Sequence, residues 1–280
     1  MTRKDEIKQL LQLSPQQVIK RAGDHLVVLN TIDDLHQHLA QAIYDEITEN
    51  NQEGRRTSLI LPVGPTGQYP ILADLLITDE VSLTSCWFFF MDEYCDNKGR
   101  VIASDHNLSF KGIAHQLFLD KVAEPCKLNW EQVIFPNENN IHDIPLLIEQ
   151  IGGIDTCYGG IGIHGHVAFN EPEQDVKDLS CRKVRLNDFT VTINAIRSKV
   201  GGNLEGFPRY AYTVGMKEIL NAKRIRLYCR NGIDLDWANT VLRLALFGEP
   251  ADDYPVTYIR DMDYVITTDY DTLQSPIHVL

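Results

Sequence analysis

The chain has 280 residues, 44% of them apolar, and sets 26 lysines and arginines against 39 aspartates and glutamates for a formal net charge of −13. That length buries a substantial core, as one large α/β domain or two small ones, so neither disulfides nor a structural metal is needed for stability. The acidic balance, with no dense Lys/Arg run to neutralise phosphates, argues against nucleic acid as a partner, and no segment is long and apolar enough to suggest a membrane span.

Asp5 to Leu13 and Pro15 to Ala22 read as two short helices, an N-terminal helical extension over residues 1–29 ahead of one domain over 30–280. Thr31 to Glu49 places Ile32, Leu35, Leu39, Ile43 and Ile47 at helical spacing, with Thr31 as a cap. Ser58 to Val63 is strand-like, Gly64 to Gly67 a turn, and about Pro70 to Leu76 a helix with proline in its first turn. The apolar run Cys86 to Met91 is a buried strand ending in Asp92-Glu93-Tyr94. Leu108 to Phe118 and Pro145 to Ile151 are helical, and Ile154 to Tyr158 is a strand leading into GGIGIHGHVAFNEP, Gly159 to Pro172. Thr190 to Pro208 carries glycines and few anchors and reads as a mobile flap; Ile225 to Cys229 is a strand, Asp236 to Phe247 a helix and Tyr264 to Thr268 a closing strand.

This alternation, free of repeats and Pro/Gly/Ser linkers, predicts helices packed on a mainly parallel sheet. The N-terminal stretch lacks the apolar run and small-residue cleavage site of a secretory signal. Six scattered cysteines without a C-x-x-C pair read as reduced, buried thiols, so a cytoplasmic location is expected.

In an open parallel sheet ligands bind beyond the carboxyl ends of the strands. Three stretches qualify. Gly64-Pro65-Thr66-Gly67 offers backbone N–H groups and a helix N-terminus to an anionic or hydroxyl-rich group, although such residues also mark ordinary turns. Asp92 and Glu93 end a buried strand, where partial desolvation turns a carboxylate into a general base for a carbon-bound proton, or where the acids merely cap a turn. In Gly159 to Pro172, His164 and His166 point to opposite sides of an extended chain and converge only if Gly165 is unusual. A metal reading uses His164, His166 and Glu171 as ligands; an acid-base reading uses one neutral imidazole with a carboxylate fixing its tautomer; the plain alternative is a glycine-rich turn.

With these residues in place, the chain resembles the glucosamine-6-phosphate deaminase/isomerase family, within the wider superfamily that includes 6-phosphogluconolactonases. The resemblance covers residues 30 to 270 through Gly64–Gly67, Met91–Tyr94, His106–Phe110, Gly159–Pro172 and Tyr210–Gly215. It implies a three-layer α/β/α sandwich with a Rossmann-like, mainly parallel sheet. It also implies aldose-ketose isomerisation with loss of ammonia, no cofactor and no catalytic metal, on a small-molecule sugar or sugar phosphate, in a protein that can form homo-oligomers. Asp92 matches the general base, His166 the ring-opening residue and Glu171 the group holding its imidazole. Gly64, Thr66, Gly67, Gln68, Glu93 and Gly162 match substrate-binding positions, and Thr190 to Pro208 matches the lid.

Several positions depart from the family pattern. His164 stands where the family has aspartate, so a second imidazole replaces the partner of the ring-opening histidine. Gln68 and Tyr69 follow the loop where the family has a glycine and a small hydroxyl residue, and Tyr69 is expected to crowd a phosphate. The phosphate lysine is missing near Asn231 to Asp234, with Asp234 of the wrong charge, Arg197 beside the lid arginine's position and Arg230 as a substitute cation. Beside the enzyme stand two alternatives, a non-catalytic sugar-binding regulator and a metal-dependent hydrolase built on His164 and His166.

Overall fold

The computed structural model describes residues 1–232 and 235–280. In chain order the elements are α1 (Arg3–Leu11), α2 (Pro15–Ala22), β1 (Leu26–Leu29), α3 (Ile32–Gln52), β2 (Thr57–Leu61), α4 (Gln68–Thr78), β3 (Cys86–Phe90), β4 (Asp92–Cys95), α5 (Phe110–Ala114) and α6 (Asp120–Val122). They continue with β5 (Val133–Ile134), α7 (Ile144–Gln150), β6 (Thr156–Gly160), β7 (Arg182–Arg185), α8 (Asp188–Arg197), β8 (Tyr210–Thr213), α9 (Met216–Leu220), β9 (Arg224–Cys229), α10 (Ala238–Phe247), β10 (Tyr264–Asp269) and α11 (Tyr270–Leu273).

A parallel seven-stranded sheet runs in the order β1-β10-β9-β6-β2-β3-β5. Side chains alternate across it. Ile60, Phe89, Cys157, Ile225 and Ile266 join one core with Val18, Ile144 and Val241, whereas Leu59, Phe88, Phe90 and Tyr158 join the other with Leu39, Ile43 and Leu72. The expected three-layer α/β/α sandwich is therefore present. Thr31 caps α3 through a reciprocal capping box with Asp34, and the helix runs one turn beyond the expected end because its buried stripe continues through Asn50.

The N-terminal residues are not an extension outside the domain. β1 pairs along its length with β10, and Val18 is fully buried in the main core. The wholly buried Arg243 adds a pin: its guanidinium donates to the carbonyls of Leu13 at 3.2 Å and Leu273 at 2.8 Å. Burying Val18, Leu10 and Ala22 together stabilises the docking by several kcal/mol, at about 1.5–3 kcal/mol for each large aliphatic side chain. Among the described residues no helix is long and apolar enough to cross a membrane.

A second, antiparallel sheet, β4-β8-β7, has no clear signal in the sequence pattern. Its strands are short and mix tyrosine, arginine and lysine, which hides their alternation. The segment expected as a poorly anchored flap also differs. It contains most of α8, whose Val191 and Ala195 are buried one turn apart and pack with Phe207 and Tyr94 in a third core.

The order of the large sheet sets where a ligand can sit. From β2 the chain moves outward through β3 to β5, and from β6 it moves the other way through β9 to β10, so the switch point lies between β2 and β6. The loops after these two strands are Gly64–Gly67 and the glycine- and histidine-rich stretch.

Candidate active site

A cavity of ≈ 860 Å³ opens at this switch point, and Gly64, Thr66, Gly67, Asp92, Gly162, His166, Arg197 and Arg230 all line it. Three expected stretches therefore converge on one volume.

The loop after β2 ends at Gly67, the N-cap of α4. A Cβ at Gly67 would fall 2.2 Å from Nδ1 of His36, so the imidazole from α3 lies directly on the loop backbone. Gln68 is buried and turned away from the cavity, donating from Nε2 to the Pro65 carbonyl at 2.8 Å. It braces the loop and does not bind at the cavity wall. Tyr69 does not crowd the cavity either. It is fully buried, donates its hydroxyl to the Pro62 carbonyl and stacks on Phe118 at 5.4 Å, because the first turn of α4 rotates the side chain into the core.

At the end of β3 the chain passes through Met91 straight into β4, and strand alternation separates the two acids. Asp92 faces the cavity, is 7% exposed and has no hydrogen-bond donor on its carboxyl among the described residues. Burial, reinforced by the neighbouring Glu93 charge, pushes its pKa up to about 8. Glu93 faces inward and is a correction to its expected place at the substrate. Its carboxylate accepts from the Tyr94 N–H at 2.8 Å, the Ser109 hydroxyl at 2.9 Å, the Phe110 N–H at 3.1 Å and the Lys111 N–H at 2.8 Å. It is the acceptor that closes the N-terminal end of α5.

In the third stretch Gly165 takes φ +64, the unusual conformation needed to re-aim the chain between the histidines. His166 turns into the cavity. A Cβ at Gly162 would lie 1.8 Å from its Nε2, so only glycine leaves room for the ring. Burial, with the nearby His164 and Arg197, pulls the His166 pKa down to about 4, and the imidazole is neutral at physiological pH.

Two expectations about this loop are corrected. Glu171 does not hold the His166 imidazole. Its Oε2 accepts from the Asn187 N–H at 2.6 Å, and among the described residues neither its Oε1 nor His166 Nδ1 has a partner, because the cap of α8 takes the carboxylate first. His164 is not in the cavity wall; its Nδ1 lies 3.1 Å from Nδ2 of Asn187. Among the described residues no three His, Cys, Asp or Glu side chains gather as metal ligands, so His164, His166 and Glu171 do not make the set that the metal reading requires.

Positive charge collects on the cavity wall. Burial lowers the pKa of Arg197 and the nearby Arg230 charge lowers it further, burial likewise lowers that of Arg230 against the opposing charge of Asp269, and Lys199 also lines the cavity. Asp234, the expected opposing charge, lies outside the described residues. Tyr94, which the sequence marks only as part of the Met91–Tyr94 match, lines the cavity, as do Asn194, Trp237 and His36, which it does not mark. Tyr94 was detectable, since it shares strand parity with Asp92; His36 was not, because its position depends on α3 packing against Gly67.

No protein-family model matches the chain. It is 28% identical over 210 residues to a glucosamine-6-phosphate deaminase from Caenorhabditis elegans, covering 72% of this chain and 74% of that protein. It is 27% identical over 213 residues to a glucosamine-6-phosphate deaminase from Dictyostelium discoideum, covering 72% and 76%. Among solved structures, a monomeric glucosamine-6-phosphate deaminase superposes with TM-score 0.75 at 24% identity over 88% of this chain and 98% of that one. A 6-phosphogluconolactonase from Trypanosoma cruzi follows the same fold with TM-score 0.64 at 15% identity, over 89% and 96%. The chain is thus similar in sequence to proteins named glucosamine-6-phosphate deaminase over about 72% of its length, and it shares the fold of a solved glucosamine-6-phosphate deaminase and of 6-phosphogluconolactonases.

Proposed function

We propose that the protein is an amino-sugar-phosphate isomerase/deaminase, and that Asp92 is its general base. The observation that carries this is a buried carboxyl without a fixed partner, held at a pKa of about 8, in one cavity with a neutral buried imidazole and a pair of arginines. The likeness to proteins named glucosamine-6-phosphate deaminase supports the same reading.

In this mechanism the neutral His166 takes the proton of the C1 hydroxyl as the sugar ring opens and returns it to the ring oxygen. The Asp92 carboxylate then removes the C2 proton of the open-chain 2-amino aldose. The C–H electrons form the C1–C2 double bond, and the carbonyl oxygen takes up a proton. Delivery of a proton to C1 leaves an imine at C2; water adds there and ammonia departs, giving the ketose. A carboxylate that is strongly basic because it is desolvated suits the first proton transfer, since general-base efficiency is greatest when the pKa lies near the working pH. Arg230, Arg197 and the N–H groups of the Gly64–Gly67 loop receive the anionic end of the sugar, with His36 beside them. Arg230 takes the charge role for which a lysine is missing.

The test is incubation in deuterated water with glucosamine 6-phosphate, following C2 and C1 hydrogens by NMR and ammonia by an enzymatic assay. Solvent deuterium in the product with stoichiometric ammonia is expected. Saturable binding of the sugar phosphate with neither exchange nor ammonia would instead establish the non-catalytic sugar-binding reading.

A further inference from the structure

His164 has no task in the chemistry above, yet it is half-buried and specifically bonded. Asn187 is the N-cap of α8, and its Oδ1 accepts from the Thr190 N–H at 2.9 Å. That contact fixes the amide orientation, so Nδ2 must be the donor toward His164 Nδ1, 3.1 Å away. The imidazole is then an acceptor at Nδ1, neutral, with its hydrogen on Nε2. The ring of Phe189 closes over it edge-on at 4.7 Å between centroids. The backbone N–H of the same Asn187 donates to Glu171 at 2.6 Å. One residue at the head of α8 is thus tied to both ends of the loop that carries His166.

Downstream on the same helix, Asn194 and Arg197 enter the cavity wall, and Asn194 Nδ2 donates to the Tyr94 hydroxyl at 3.2 Å. We propose that His164 and Asn187 are positioning residues that hold α8 in register with the 164–171 loop, so that Arg197 and His166 engage one substrate molecule together. This rests on the isomerase/deaminase reading and deepens it. Leverage explains why the cap matters: a ten-residue helix is about 15 Å long, so a tilt of about 10° at its head displaces Arg197 by about 2–3 Å. A misplacement of that size is enough to lose about 100-fold in rate. The requirement at position 164 is a hydrogen-bond acceptor, not an imidazole, so a carboxylate or carboxamide of suitable reach satisfies it.

The test compares kcat and KM for glucosamine 6-phosphate and for unphosphorylated glucosamine, using full-length wild type, Asn187→Ala, His164→Leu and His164→Asn, each checked for folding by thermal melt. Asn187→Ala and His164→Leu are expected to lower kcat/KM for the phosphorylated sugar about 100-fold and for the unphosphorylated sugar less than threefold. His164→Asn is expected to restore the phosphorylated sugar to within about threefold of wild type, and Asn187→Ala is expected to add nothing in an Arg197→Ala background. Equal losses on both sugars, no rescue by His164→Asn, or full additivity with Arg197→Ala would overturn the positioning role while leaving the parent reading intact. A folded wild-type protein inactive on both sugars would overturn the two together.

Discussion

Asp92 and Glu93 are adjacent acids, both nearly inaccessible to solvent, on opposite faces of one short strand. Glu93, 2% exposed, is met by four donors and holds the head of a helix. Asp92, 7% exposed, meets none among the described residues and faces the cavity. Burial raises the pKa of both, but only Glu93 has hydrogen bonds opposing that rise. What separates a structural carboxylate from a reactive one here is therefore not burial but whether the protein has already satisfied its oxygens. An unsatisfied carboxylate keeps its basicity for the substrate.

Exchanging the two acids for their amides breaks this comparison in opposite directions. Asp92→Asn is expected to lower kcat about 1000-fold or more with the fold intact, measured as ammonia release under saturating substrate. Glu93→Gln is expected to cost about 3 kcal/mol of stability, because an NH₂ group then opposes donors that a carboxylate oxygen accepted; denaturant unfolding measures it. Its kcat should change far less than that of Asp92→Asn.

The pH dependence of stability sharpens the contrast. The folded-state pKa of Asp92 lies above its ordinary value of 3.8, at about 8, so the folded state binds the extra proton between those limits. The contribution is fully favourable below pH 3.8 and is lost as pH rises toward 8, at up to about 1.4 kcal/mol per pH unit. Asp92→Asn removes that slope, so its melting temperature relative to wild type should increase from pH 5 to pH 8. The smallest expected effect lies farther along the cavity. Arg230→Gln should raise KM for the phosphorylated sugar about tenfold to thirtyfold, with kcat for unphosphorylated sugar nearly unchanged, since it removes one charge from a wall that retains Arg197.

The large sheet was readable because its central strands are apolar runs. CWFFF and TSLIL are buried on both faces, and such strands show in sequence without any partner. The small sheet is not readable, since DEYC and RKVR become strands only by pairing on either side of YAYT. Likewise the cap at Asn187 and the one-turn spacing of Val191 and Ala195 are overshadowed in the sequence by the glycines at 201, 202 and 206, so that α8 reads there as part of a flap. In the site, residue type and position after a strand pointed to Asp92, His166 and the glycine loop. Side-chain direction decided Glu93, Gln68, Tyr69, Glu171 and His164, and direction depends on which neighbouring donor reaches a polar group first.

The central claim is tested most directly by the pH dependence of C2 hydrogen exchange in wild type and Asp92→Asn. The account predicts exchange in wild type that rises with pH and levels off above about 8, as Asp92 loses its proton, and none above background in the variant. Exchange by Asp92→Asn at a rate near wild type, or a wild-type profile flat from pH 5 to 9, would contradict it.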